Sequence, residues 1–115
     1  MVLWIGFDLQ AEIEAGDGNN RTALHLAAYY GKEAVAARLL QAVASVSAVD
    51  DGGRTPLHWA AYNGKSSIAN LLLQANASPT AVDKDGYTPA KDAKRRGYND
   101  LAAMLLEAEQ AAALK

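Results

Sequence analysis

Apolar residues along this chain fall into short runs with helical spacing, and the runs recur. From Pro56 to Asn63 the sequence reads PLHWAAYN, while Ile68, Leu71, Leu72 and Ala75 stand three and four positions apart, the spacing of a one-sided helical stripe. Between the two lies Gly64, and glycine takes the left-handed conformation past a helix end at little steric cost. Thr55-Pro56 is a start signal, because threonine caps and proline at the first helical position gives up an N–H that has no helical acceptor. The preceding DDGGR supplies Gly52 and Gly53 for backbone at positive φ. The pattern predicts a turn, a short helix over 56–63, a tight turn, a longer helix over 67–75 and an extended return through ASPTAV.

The same order occurs three times. RTALHLAAYYGK begins at Arg21, RTPLHWAAYNGK at Arg54 and YTPAKDAKRRGY at Tyr87, so Thr22, Thr55 and Thr88 recur every 33 residues. That step also carries Asp17 to Asp50 to Asp83, Ala27 to Ala60 to Ala93, and Gly31 to Gly64 to Gly97 without an insertion. A fixed period of this length predicts a stacked array in which each unit hides its apolar face against the next. The expected division is an irregular or partial N-terminal cap over 1–16, repeats over 17–49 and 50–82, and a C-terminal capping repeat over 83–115.

TALHLAA and TPLHWAA, each followed by a glycine three residues on and by a RLLQA or LLLQA helix end, resemble the ankyrin repeat family from Asp17 to about Gln110. The resemblance implies an all-α solenoid of stacked helix-turn-helix units with short β-hairpin or turn fingers, whose concave side binds other proteins. It also implies that His25 and His58 are architectural, hydrogen-bonding the turns that join adjacent units. A catalytic His58 would need a partnered nucleophile or carboxylate, and a reason for His25 to duplicate it. Trp59 shares its offset with Leu26 and is read as core.

Composition narrows the reading further. The chain has 115 residues, half of them hydrophobic, which suits one domain with a continuous core. A net charge of −2 provides no basic field to attract nucleic acid. The absence of cysteine removes disulfides, thiolate metal sites and a cysteine nucleophile, and agrees with an intracellular, cytoplasmic or nuclear, protein. The opening MVLWIGF has no secretory pattern and falls far short of the roughly 20 apolar residues that span a bilayer. Val2, Leu3, Trp4, Ile5 and Phe7 need cover; a monomer is expected, and a dimer would form through this segment.

Two departures from the period carry expectations of their own. Val43 stands where the family has the glycine that ends the outer helix, so a distorted or differently closed turn is expected there, whereas Asn76 one unit later tolerates left-handed backbone. In the last unit AKDAKRRGY stands where LHWAAYNGK stands one unit earlier and introduces Lys91, Asp92, Lys94, Arg95 and Arg96, the expected polar outer face of a terminal unit. A helix over 100–111 closes that unit, with Asp100 capping its start and Leu101, Met104, Leu105 and Ala108 as its buried stripe.

Stacking constrains the framework positions, so function is expected where copies differ or carry surplus aromatic and charged groups. Carried over position by position, the resemblance marks Arg21, Tyr29 and Tyr30, then Arg54, Tyr62 and Asn63, then Tyr87, Arg95 and Arg96 as partner-binding residues. Tyrosine and arginine are the residue types that concentrate binding energy at interfaces. No catalytic constellation, cofactor loop or metal-spaced set stands out. The reading is a non-enzymatic protein-protein interaction module; the alternatives are a regulatory or targeting fragment of a larger protein, or an engineered scaffold without a natural partner.

Overall fold

Threonine starts and glycine stops sort the chain into antiparallel helix pairs. The computed structural model describes residues 16–114, and within them lie α1 (Ala23–Tyr30), α2 (Glu33–Gln41), α3 (Pro56–Tyr62), α4 (Ser66–Gln74), α5 (Pro89–Arg95) and α6 (Asn99–Ala113). The described residues contain no strand, so the fingers joining successive pairs take the turn form. The N-terminal cap segment and the apolar dimer patch expected there lie outside the described residues.

Thr22, Thr55 and Thr88 are the N-caps of α1, α3 and α5, each accepting a backbone N–H from three residues on. In the first two units that third residue is histidine, which completes a reciprocal box. His58 N–H donates to Thr55 Oγ1, and Thr55 N–H donates back to His58 Nδ1 at 3.1 Å. With Nδ1 accepting, the ring carries its proton on Nε2 and donates it to the Tyr87 carbonyl at 2.9 Å, one unit further on. His25 repeats the arrangement, its Nε2 reaching the Arg54 carbonyl at 2.8 Å. Both histidines are therefore interior bridges between units, as expected.

The helices stack in two rows. The inner row runs α1, α3, α5, and in the outer row α2 packs on α4. Ala27, Ala28, Ala60, Ala61 and Ala93 line the inner contacts with at most 3% of their surface exposed, so the small side chains let backbones approach. Leu24, Leu57, Ile68, Leu72, Leu101 and Leu105 fill the space between the rows. The stripe predicted for α4 is present, with Ile68 and Leu72 buried and Leu71 and Ala75 at its margin. Gly64 at φ +69° has a second job, since a Cβ there would lie 2.7 Å from the Tyr98 ring of the next unit.

Adjacent fingers are tied by their backbones. Asp51 N–H donates to the Asn19 carbonyl and Lys84 N–H to the Gly52 carbonyl, each at 3.0 Å. Asn20, Gly53 and Gly86 hold the left-handed position of successive fingers, at φ 62°, 76° and 83°. Gly52 does not share that conformation, contrary to the sequence reading; its N–H is taken by the Asp50 carboxylate instead.

Three more expectations are corrected. Val43 does not distort its turn. It adopts φ 62°, and Ala44 N–H bonds to the Leu39 carbonyl at 2.9 Å, as Ala77 N–H bonds to Leu72 after Asn76. The stacked frame imposes the left-handed conformation on a β-branched residue that resists it. Asp92 is not part of a solvated face, because it lies under α3 and the third finger with 2% exposure. Asp100 does not cap: α6 begins one residue earlier, after Tyr98, and Asp100 lies in its first turn where its charge suits the helix dipole.

Two stability outcomes follow. Val43→Asn should raise the unfolding free energy by about 1 kcal/mol, because Val43 is 79% exposed and offers little packing in return for its strain. His58→Ala should lower it by about 1–3 kcal/mol through the orphaned Thr55 and Tyr87 groups. Urea denaturation of each variant measures both.

Candidate functional site

The exposed side of the inner helices carries whatever the core does not need. The fourth residue after each capping threonine is Leu26, Trp59 or Asp92; the seventh is Tyr29, Tyr62 or Arg95; the eighth is Tyr30, Asn63 or Arg96. Helical geometry puts these offsets on one flank of α1, α3 and α5, and stacking sets the flanks side by side.

The rings form a connected ladder. Tyr30 meets Tyr29 edge-on with centroids 4.8 Å apart, Tyr29 meets Trp59 at 5.3 Å, and Trp59 meets Tyr62 at 5.8 Å. Arg96 extends the ladder into the third unit, its guanidinium 4.4 Å from the Tyr62 ring centroid and its Nη1 3.5 Å from the Tyr62 hydroxyl. Arg54 covers the Trp59 ring at 5.2 Å, and a groove beside it is lined by Asn19, Arg21, Asp51, Gly52, Arg54 and Trp59.

The core position expected for Trp59 holds in part. The side chain packs against the core but remains half-buried, and its indole N–H donates to Asp50 Oδ2 at 2.9 Å. Its partner Leu26 suggested an interior position. The stronger signal was disagreement among copies, since leucine, tryptophan and aspartate cannot all serve one packing role at the same offset.

The other predicted residues divide. Tyr29, Tyr30, Tyr62, Arg54 and Arg96 gather around Trp59. Tyr87 and Arg95 form a separate pair, with the guanidinium 4.1 Å from the ring centroid. Arg21 is tied back to Asp17 within its own finger at 3.2 Å. Asn63 folds back along its own helix, its side-chain amide donating to the Trp59 carbonyl at 3.4 Å. Arg54 also bridges to Asp83 at 3.6 Å and Asp85 at 3.8 Å.

Two of the buried titratable groups beneath this surface shift in opposite directions. Burial depresses the His25 pKa from its ordinary 6.5, and the Arg54 carbonyl that accepts its Nε2–H only partly offsets this. Burial has the opposite effect on the Asp92 carboxyl, raising it. The chain brings Asp92 and Asp83 together with His58, so that a carboxylate oxygen of each and a ring nitrogen lie within 4.8 Å of one another. No short sequence spacing announced that trio.

Compared with families of known proteins, the chain matches the model of ankyrin repeats in three copies over residues 3–83. A comparison with curated proteins finds no match.

The two ring nitrogens of His25 give a direct test of its environment. In a ring-proton NMR titration His25 should change charge below 6.5, and the stability it contributes should be lost as pH falls from that value through its depressed pKa.

Proposed function

We propose that this chain, which belongs to the ankyrin repeat family, binds a partner protein through the aromatic and arginine surface of its inner helices, without catalysis. Ankyrin repeats are in general protein-protein interaction modules. The observation that supports this face is the ladder from Tyr30 through Tyr29, Trp59 and Tyr62 to Arg96, which spans all three inner helices with partly exposed rings. Rings held edge-to-face by neighbouring units lose little rotamer freedom on binding, and planar guanidinium groups already stacked on rings lose less than free ones.

Within this reading Tyr29, Tyr30, Tyr62 and Arg96 form the centre. Arg54, Tyr87 and Arg95 extend it along the stack, and Arg21 and Asn63 support it from the flank. The division into repeats over 17–49, 50–82 and 83–115 belongs to the same reading. No described helix is long and apolar enough to cross a membrane, and the partner is expected to be an intracellular protein rather than nucleic acid.

The test is quantitative capture from cell lysate by the wild type and by a Tyr29→Ala, Tyr30→Ala, Tyr62→Ala variant whose folding is first verified. Proteins that bind the wild type should lose roughly tenfold or more in affinity with the variant, the scale of two or three interface anchors. Equal capture by both would reject this face.

A further inference from the structure

Each finger opens with an aspartate that does the same structural work with one oxygen. Asp17 Oδ1 accepts the Asn19 and Arg21 N–H groups, Asp50 Oδ1 those of Gly52 and Arg54, and Asp83 Oδ1 those of Asp85 and Tyr87, all between 2.8 and 3.0 Å. The second oxygen differs. In the first unit it faces the Arg21 guanidinium at 3.2 Å, and in the second it accepts the Trp59 indole N–H at 2.9 Å. In the third unit the residue at the tryptophan offset is Asp92, so the donor is replaced by another acceptor.

Two oxygens are left over. Asp83 Oδ2 and Asp92 Oδ2 are both buried without a hydrogen-bond partner, on residues that are 6% and 2% exposed. The cations nearby do not satisfy them: Arg54 Nε stops 3.6 Å from Asp83 Oδ2, and Arg95 Nη1 lies 3.6 Å from the other oxygen of Asp92. A buried acceptor without a donor is costly, and two facing carboxylates add like-charge repulsion.

We propose that Asp83 and Asp92 form a buried proton-binding site, in which one proton carried by Asp92 and shared towards Asp83 supplies the donor that Trp59 supplies to Asp50. A metal ion suits the site less well, although His58 completes a three-residue set. Both ring nitrogens of His58 are engaged, Nδ1 by Thr55 and Nε2 by the Tyr87 carbonyl, and ligation would dismantle the bridge between units. The Arg54 guanidinium beside Asp83 would also repel a divalent cation.

The charged groups around the site come from every packed element. Asp83, Asp85 and Arg54 belong to the fingers, His58 to α3, and Arg95 to α5 itself. Helix α6, packed on α5, brings Asp100, Glu107 and Glu109, the first two exposed. Desolvation outweighs the attraction of His58 and the two arginines, so the Asp92 carboxyl holds its proton above the ordinary 3.8. A carboxyl raised on folding stabilises the protein below its unfolded pKa and loses that contribution as pH rises through the folded value. This opposes the His25 contribution, so the wild type alone does not isolate it. The difference between wild type and an Asp92 variant does. Because Arg54 and Arg95 border the pair, the proton also sets the net charge beneath part of the proposed binding face; that consequence rests on the proposed function, whereas the site does not.

The test combines Asp92→Asn with a carboxyl-carbon NMR titration of the wild type. Asp92→Asn supplies an N–H donor without charge, and at pH values above the measured Asp92 titration it should raise the folding equilibrium constant by roughly five- to tenfold, the scale of one buried acceptor regaining a partner. The advantage should shrink as pH falls through that titration and the wild type takes up its proton. In the titration Asp92 should protonate above 3.8. A variant advantage that is absent, or that is the same at every pH, would overturn the proposal, as would an Asp92 carbon titrating at or below 3.8. Zinc that stabilised the wild type and not the variant would overturn it in favour of a metal.

Discussion

The stack depends on one repeated hydrogen-bonded bridge. A threonine hydroxyl and amide take up the backbone N–H and Nδ1 of a histidine three residues on, which directs the ring's remaining proton to a carbonyl of the next unit. Each bridge does two jobs: it closes the start of an inner helix and sets the distance to the neighbouring finger. Neither partner has solvent as a substitute, because Thr22, His25, Thr55 and His58 are all buried. A bridge of this kind stays made while the helices are packed. Its repetition explains how Val43 is forced into left-handed backbone without altering its turn, since the flanking helices are anchored on both sides.

A rigid frame with a fixed step also decides what its surface can become. The seventh and eighth positions after each threonine project from the same flank, so substitutions there place side chains side by side without disturbing the core. Tyr29, Tyr30, Tyr62 and Arg96 use this freedom. Trp59 and Asp92 use the fourth position, nearer the core, where each change is felt by the aspartate of its own finger. Tryptophan satisfies that aspartate, and aspartate competes with it. The Trp59–Asp50 hydrogen bond and the buried carboxyl pair are thus two outcomes of varying a single offset.

Much of this was legible in the sequence because the governing signals are local or periodic. Threonine caps, glycine stops, the stripes of α4 and α6 and the interval of 33 residues required no knowledge of distant contacts. What escaped depended on neighbours one unit away. Trp59 shares the half-buried position of Leu26, but its indole contacts with Asp50 and with the Tyr29 ring of the preceding unit have no counterpart in leucine. Asp92 was grouped with Lys91, Lys94, Arg95 and Arg96 by composition, although its offset points it under α3. Asp100 looked like a cap because aspartate often caps, but the tight turn at Gly97 brings the chain into α6 before it is reached. For Trp59 and Asp92 the missing information was a neighbour in the stack; for Asp100 it was the turn just before it.

The claim that histidine bridges hold the units together is tested most directly by native-state hydrogen exchange of the Thr22 and Thr55 amides, which donate to His25 Nδ1 and His58 Nδ1. If the bridges are part of the cooperative core, these amides exchange only through global unfolding, as slowly as those of Ala60 and Ala61 in α3. Exchange of Thr22 and Thr55 through low-energy local opening, while the α3 amides stay protected, would contradict it and leave apolar packing alone as the force that stacks the chain.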